Sequence, residues 1–228
     1  MSVQLVSEDQ LREEFDEIAR LSGAHESEDR YDSFLIGQVP LQARSVLDVG
    51  CGMGRFTKCL TGSDRQVVGI DLSPEMIARA KILEDDQGKL TFYCGNFLDL
   101  EFHPSSFDSV ISVAALHHMP LEIAVQRMIE LVRPGGTLII HDLRSDSNAL
   151  ERMSSFFAGG LNCLRRFRRT GRFFGKPELR QAWIRHGSGE TYLTMNEVRA
   201  FASSFTPPAR AYKHWFWKYT IVWQKTQT

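Results

Sequence analysis

Three glycines two residues apart, Gly50, Gly52 and Gly54, break an apolar run made of Ser45, Val46, Leu47 and Val49, and a helical pattern follows them. The apolar, β-branched run suits a strand buried on both faces, as in a parallel sheet. Strand, glycine loop and helix together form the first half of a nucleotide-binding βαβ unit, in which missing Cβ atoms let a ligand lie against the backbone. The spacing G-x-G-x-G puts Arg55 where a dinucleotide fingerprint needs its third glycine, so that fingerprint fails here. Asp48, two residues before the first glycine, would repel a pyrophosphate and hold a cationic ligand. S-adenosylmethionine, with its ammonium and sulfonium, is such a ligand. The bland alternative is that Asp48 caps the following turn and the glycines only permit a tight bend.

DVGCGMG resembles the first motif of the class I S-adenosylmethionine-dependent methyltransferases, and further motifs follow in that family's order. Gln66-Val-Val-Gly-Ile-Asp71 is a second apolar strand ending in an acid, placed 17 positions after Gly54. The resemblance makes Asp71 the acceptor for the two ribose hydroxyls and lays Leu72 against the adenine. Gly95-Asn96-Phe97 resembles the third element, which usually offers an acid to the adenine amino group; Asn96 departs from this and would accept through its amide oxygen. Tyr31-Asp32 resembles an element that reaches the methionine end of the cofactor. The cofactor contacts implied are therefore Tyr31, Asp48, Gly50, Cys51, Gly52, Gly54, Asp71, Leu72, Asn96, Phe97 and Val113, with S-adenosylhomocysteine as the product.

The rest of the chain agrees with this family's order. Ser73-Pro74 starts a helix running to Leu83, with Glu75 in its first turn. Strands are expected at Leu90–Cys94, Phe107–Val113 and Thr137–Asp142, with a helix from Ile123 to Val132. Arg133-Pro-Gly-Gly136 reads as the turn between that helix and the fifth strand, and matches a specific mark of the family. Thr194-Met-Asn-Glu197 is a capping-box pattern opening a helix from about Met195 to Ser204, and residues 209–224 read as a two-stranded hairpin. Glu8 to Leu21 has Leu11, Phe15, Ile18 and Leu21 at helical spacing, an amphipathic packing helix of the kind that in this family often folds over the cofactor.

A doubly wound α/β fold follows: a Rossmann-like methyltransferase sheet of seven mostly parallel strands with a C-terminal antiparallel hairpin and a helical cap. With 228 residues, one domain is expected over 1–228. Its parts are an N-terminal helical segment (1–40), a cofactor core (41–143), a cap insertion (144–193) and the last helix and hairpin (194–228). Acids occupy the N-terminus where a signal peptide would have an apolar core, and no apolar run approaches about 18 residues, so neither export nor stable membrane association is expected and a cytoplasmic location is.

The acceptor side is less determined. His117 and His118 follow the fourth strand, and His141 ends the fifth beside Asp142; any of the three could take a proton from an acceptor, since an unperturbed imidazole titrates near neutrality. Each also has an ordinary structural reading, His117 and His118 at a helix start and His141 as a satisfied core residue. Asn-Pro-Pro-Tyr and Asp-Pro-Pro-Tyr motifs of the DNA-adenine and protein-glutamine branches are missing, as is a Pro-Cys dipeptide, so no DNA partner and a small-molecule acceptor are expected. A net charge of −1 also argues against a general nucleic-acid binder. In the cap, Leu161, Leu164, Phe167 and Phe174 interleave with Arg165, Arg166, Arg168, Arg169 and Arg172. That segment reads as a packed lid helix, as a roof recognising an anionic acceptor, or as a membrane or RNA contact. The four cysteines form no C-x-x-C pair and have no histidines beside them at metal spacing, so no metal is expected. Two other function classes stay open: a non-catalytic methyltransferase-like binding module and an NAD(P)-dependent oxidoreductase.

Overall fold

The computed structural model describes residues 7–23, 30–62, 64–85, 87–146, 168, 176–187, 190–215 and 217–227. Except for Arg168, the basic and aromatic residues that mark the cap lie outside these residues, as does Cys163.

The β-branched runs form a seven-stranded sheet in the order β3-β2-β1-β4-β5-β7-β6. Its strands are β1 (Ser45–Val49), β2 (Gln66–Asp71), β3 (Leu90–Cys94), β4 (Phe107–Val113), β5 (Val132–Leu143), β6 (Arg210–Lys213) and β7 (Lys218–Gln224). β1 to β5 pair in parallel, and β7 lies antiparallel between β5 and β6. Both faces of the sheet are covered. Leu47, Val110, Leu138 and Ile140 pack into one apolar cluster, and their strand neighbours Val46, Ile111 and Ile139 into another on the opposite face. The chain starts in the middle, at β1, winds outward to β3 and returns to β4 beside β1. The carboxyl ends of β1 and β4 thus flank the point where strand order reverses, which is where such sheets open a crevice.

Among the described residues the helices are α1 (Glu8–Leu21), α2 (Asp32–Ile36), α3 (Arg55–Leu60), α4 (Pro74–Ala80), α5 (Leu121–Leu131), α6 (Pro177–Gly187) and α7 (Met195–Ser203). Ser73 caps α4, accepting from the Met76 N–H at 3.0 Å, and α4 tightens into a 3-10 turn over Lys81–Leu83. The Thr194–Glu197 capping box forms at the start of α7.

The Arg133-Pro-Gly-Gly136 segment is not a separate turn before β5. β5 begins at Val132, and the register against β4 jumps from Phe107↔Val132 to Ser109↔Thr137, so the segment is carried as a bulge. Gly135 supplies the positive φ of 77° that the bulge needs. Arg133 is fixed there by Asp108, whose carboxylate accepts from its guanidinium at 3.0 Å and from the Arg44 and Ser45 N–H groups at 2.7 and 2.9 Å. In the tail, Tyr219 and Trp223 enter the core, while Trp215 at the hairpin tip stays 70% exposed. Among the described residues, no helix is long and apolar enough to cross a membrane.

Candidate functional site

At the carboxyl ends of β1, β2 and β4 the glycine loop bounds a cavity of about 440 Å³, within the size range of small-molecule sites. The loop is tied to β2: the N–H groups of Gly50 and Cys51 both donate to the Ile70 carbonyl at 2.8 Å, and the Gly52 N–H donates to Asp71 Oδ2 at 2.8 Å. Gly50 (φ 75°) has no room for a side chain, because a Cβ there would lie 2.1 Å from the Ala115 Cβ. Gly52 (φ 54°) is different: a Cβ there would meet nothing within 4 Å, and the residue borders the cavity. One glycine allows loop-to-loop contact, and the other leaves ligand-accessible backbone.

Two carboxylates stand at this floor. Asp48 is 2% exposed and accepts from the Thr57 hydroxyl at 2.7 Å; burial pushes its pKa up to about 7, a rise the Thr57 bond opposes and the nearby Asp71 charge reinforces. Asp71 is also raised by burial, against the Ser73 and Gly52 N–H bonds that favour its charge. Cys51 lines the same wall as a thiol that burial keeps protonated. Leu72, Asn96 and Val113 complete this side. Of the other implied contacts, Gly54 caps α3 and packs toward Phe92, and Phe97 is a core residue beneath the Arg127 guanidinium; neither borders the cavity. Tyr31 is also outside its lining: its ring lies tilted against His214, with centres 4.6 Å apart, and its hydroxyl donates to the Trp215 carbonyl at 2.7 Å. Its neighbour Asp32 makes the link instead, pairing at 2.5 Å with Arg55, which does line the cavity.

Asn96 is spent differently from the sequence expectation. Its Oδ1 accepts from the Leu98 N–H at 3.0 Å, while its amide nitrogen donates to Glu8 Oε2 at 2.9 Å. The acid that this position lacks is thus brought in by the first turn of α1. Glu8, Leu11 and Phe15 of α1, with Trp183 of α6, form the outer wall; the family resemblance implied a helix over the cofactor here, but not Glu8's contact with Asn96 or the part Trp183 plays. The amphipathic stripe of α1 by itself reads equally well as ordinary packing, and Trp183 has no signal in the sequence.

At the acceptor end, His118 lines the cavity and His117 and His141 do not. Burial and the neighbouring His117 and His186 push the His118 pKa down to about 2. A lowered pKa makes this imidazole a weaker proton acceptor than a free one. His117 Nδ1 and its backbone N–H engage the two oxygens of Asp142 at 2.6 and 3.0 Å. His141, one residue earlier on the strand and so on the opposite face, is 1% exposed and bonds to the Thr220 hydroxyl at 2.8 Å. Among the described residues, His117, His118 and His186 also form a histidine cluster, which no spacing in the sequence signals.

Residues 47–140 match the model of a methyltransferase domain. An uncharacterized methyltransferase of Mycobacterium bovis is 28% identical over 85% of this chain and 93% of its own length. The O-methyltransferase cnsE of Penicillium expansum is 36% identical over 47% of this chain, but that stretch is only 41% of the Penicillium protein. Among solved structures, the plantazolicin methyltransferase BpumL, in complex with a triazolic desmethylPZN analog and SAH, superposes with a TM-score of 0.61 at 14% identity. That match covers 96% of this chain and 88% of the other, a likeness of fold.

Proposed function

We propose, for a chain whose residues 47–140 match the model of a methyltransferase domain on a Rossmann-like sheet, that it transfers the methyl group of S-adenosylmethionine to a small-molecule acceptor. The observation that carries the reading is the pairing of Asp71 and Asp48 at the floor of a cavity whose glycine loop leaves Gly52 open. In this reading Asp71 accepts from the ribose hydroxyls, Leu72 lies against the adenine and Asp48 faces the cationic methionine end. The cofactor, when bound, supplies an activated methyl group whose carbon–sulfur bond breaks with both electrons going to sulfur.

The protein's own contribution is to hold and to exclude. The cavity floor fixes the donor, α1 and Trp183 keep water from the reacting end, and His118 and Met119 border the place from which an acceptor approaches in line. The acceptor is an oxygen, nitrogen or carbon nucleophile; the Penicillium relative's name favours oxygen. Of the three expected histidines, His118 is the one that borders the acceptor's approach. An anionic acceptor fits the arginines of the cap sequence. A binding module without turnover is the second reading.

Calorimetric titration with S-adenosylmethionine, S-adenosylhomocysteine and NADH, on wild type and Asp71→Ala, tests the cofactor assignment. Binding of both adenosyl ligands, weakened in the variant and not shared by NADH, supports it; folded protein that binds neither adenosyl ligand refutes it. Labelled methyl transfer to candidate acceptors then separates an enzyme from a binding module.

A further inference from the structure

Three histidines far apart in the sequence converge beside the cavity. His117 and His118 belong to the short 3-10 helix after β4 and His186 to the last turn of α6, and one ring nitrogen from each lies within 4.8 Å of the others. Their side chains are 9, 5 and 5% exposed. Each imidazole also has its own carboxylate on Nδ1: Asp142 for His117 at 2.6 Å, Glu190 for His118 at 3.1 Å and Glu14 for His186 at 2.9 Å. A carboxylate accepts from a ring N–H, so this arrangement suits the tautomer with its proton on Nδ1, the one that turns Nε2 toward an ion. Outer carboxylates fix metal-ligating histidines in this way, setting tautomer and ring orientation together. The three rings lie tilted against one another with centres 3.8 and 4.8 Å apart, close enough for one nitrogen of each to share a single ion.

We propose that His117, His118 and His186 form a binding site for one divalent transition-metal ion of the zinc class, with Glu14, Asp142 and Glu190 as its outer carboxylates. Imidazole nitrogens suit zinc, copper and nickel and do not suit magnesium or calcium. Tetrahedral zinc spaces its nitrogens about 3.4 Å apart, so the widest pair in the cluster closes by up to about 1.4 Å when it binds. Three protein ligands leave the fourth position of such an ion open. The three outer carboxylates come from α1, β5 and the segment before α7. The ion therefore fastens α6 and α1 to the end of β4. This site does not depend on the methyl-transfer reading.

The test uses full-length protein without a polyhistidine tag, stripped by chelator and titrated with Zn²⁺, with Mg²⁺ as comparator and Co²⁺ as a spectroscopic probe. The expected result is one Zn²⁺ per chain, no binding of Mg²⁺, and visible Co²⁺ bands without the intense near-ultraviolet band of a thiolate ligand. His117→Ala and His186→Ala each weaken Zn²⁺ by about tenfold or more, and Glu14→Gln, which leaves the ligands in place, by about tenfold. The Cys59→Ser, Cys94→Ser double variant binds as wild type does, because those exposed thiols are the adventitious alternative. Wild type that binds no zinc, affinity unmoved by folded histidine and Glu14 variants, or affinity lost with the two cysteines would each overturn the site.

Discussion

Glu8 Oε2 accepts a hydrogen bond from Asn96 Nδ2 at 2.9 Å, which sets a carboxylate of α1 at the cavity edge beyond β3. The same side chain pairs with Arg12 at 2.8 Å through its other oxygen, so its position is held from two sides. If the adenine amino group is read by an acid here, that acid is Glu8. Glu8→Gln should weaken S-adenosylhomocysteine by about two- to tenfold, the worth of one hydrogen bond. Asn96→Asp should weaken it too, by setting a second carboxylate against Glu8. Calorimetry on both variants checks this, and unchanged affinity in Glu8→Gln would exclude the contact.

Asp48 links pH to both binding and stability. Its folded pKa of about 7 lies above the unfolded value of 3.8, so the folded protein holds this proton more tightly. Stability from this group is present at low pH and falls as pH rises from about 4 toward 7, by a few kcal/mol at most. Binding runs the other way, because a cationic ligand needs the carboxylate. Affinity for S-adenosylmethionine should rise from pH 6 to 8 and flatten in Asp48→Asn. The same variant should melt higher than wild type at pH 8, with no gain at pH 4. A scan of Tm and Kd against pH reads both signs at once.

The two loop glycines should fail in different ways when replaced. Gly50→Ala drives a Cβ into Ala115 at a positive φ, and should lower stability by about 2–4 kcal/mol. Gly52→Ala meets no neighbouring atom and carries only the backbone cost, about 1 kcal/mol, but places a methyl group at the cavity. Thermal unfolding should therefore single out Gly50, and ligand titration Gly52.

Asp16 docks α1 without touching the cavity. Its Oδ1 accepts from the Ser73 hydroxyl at 2.5 Å and from the Glu75 N–H at 3.3 Å. Asp16→Ala should loosen α1, raising Kd for the adenosyl ligands several-fold and increasing amide exchange in Glu8–Leu21, with the β1–β2 core unchanged. Exchange rates equal to wild type in α1 would show that apolar packing alone holds it.

How much of this could be read from the chain divides along one physical line. The strand from Ser45, the loop from Gly50 to Gly54, Asp71 at the end of β2 and the caps at Ser73 and Thr194 are local: a short window holds both the residue and the reason for it. The Arg133 bulge was missed because Arg-Pro-Gly-Gly satisfies a turn and a bulge equally, and Asp108, from another strand, decides between them. Glu8 reaching Asn96, Asp32 reaching Arg55 and His186 reaching His118 are contacts between segments that no local period encodes. His141 and Asp142 are sequence neighbours with different fates, since a strand sends them to opposite faces and only the packing reveals which one meets His117.

The placement of β7 between β5 and β6 has a consequence for synthesis. β6 is translated before the strand that joins it to the sheet, and in the finished fold it pairs with β7 alone. As the chain emerges, β5 has one open edge and β6 has two, and neither can satisfy the other directly. Only four residues long, with Arg210 and Lys213 at its ends, β6 is a poor template for a stray strand during that wait. Arrival of β7 closes the edge of β5 and captures β6 in one zippering step, so the last quarter of the sheet should appear all at once or not at all.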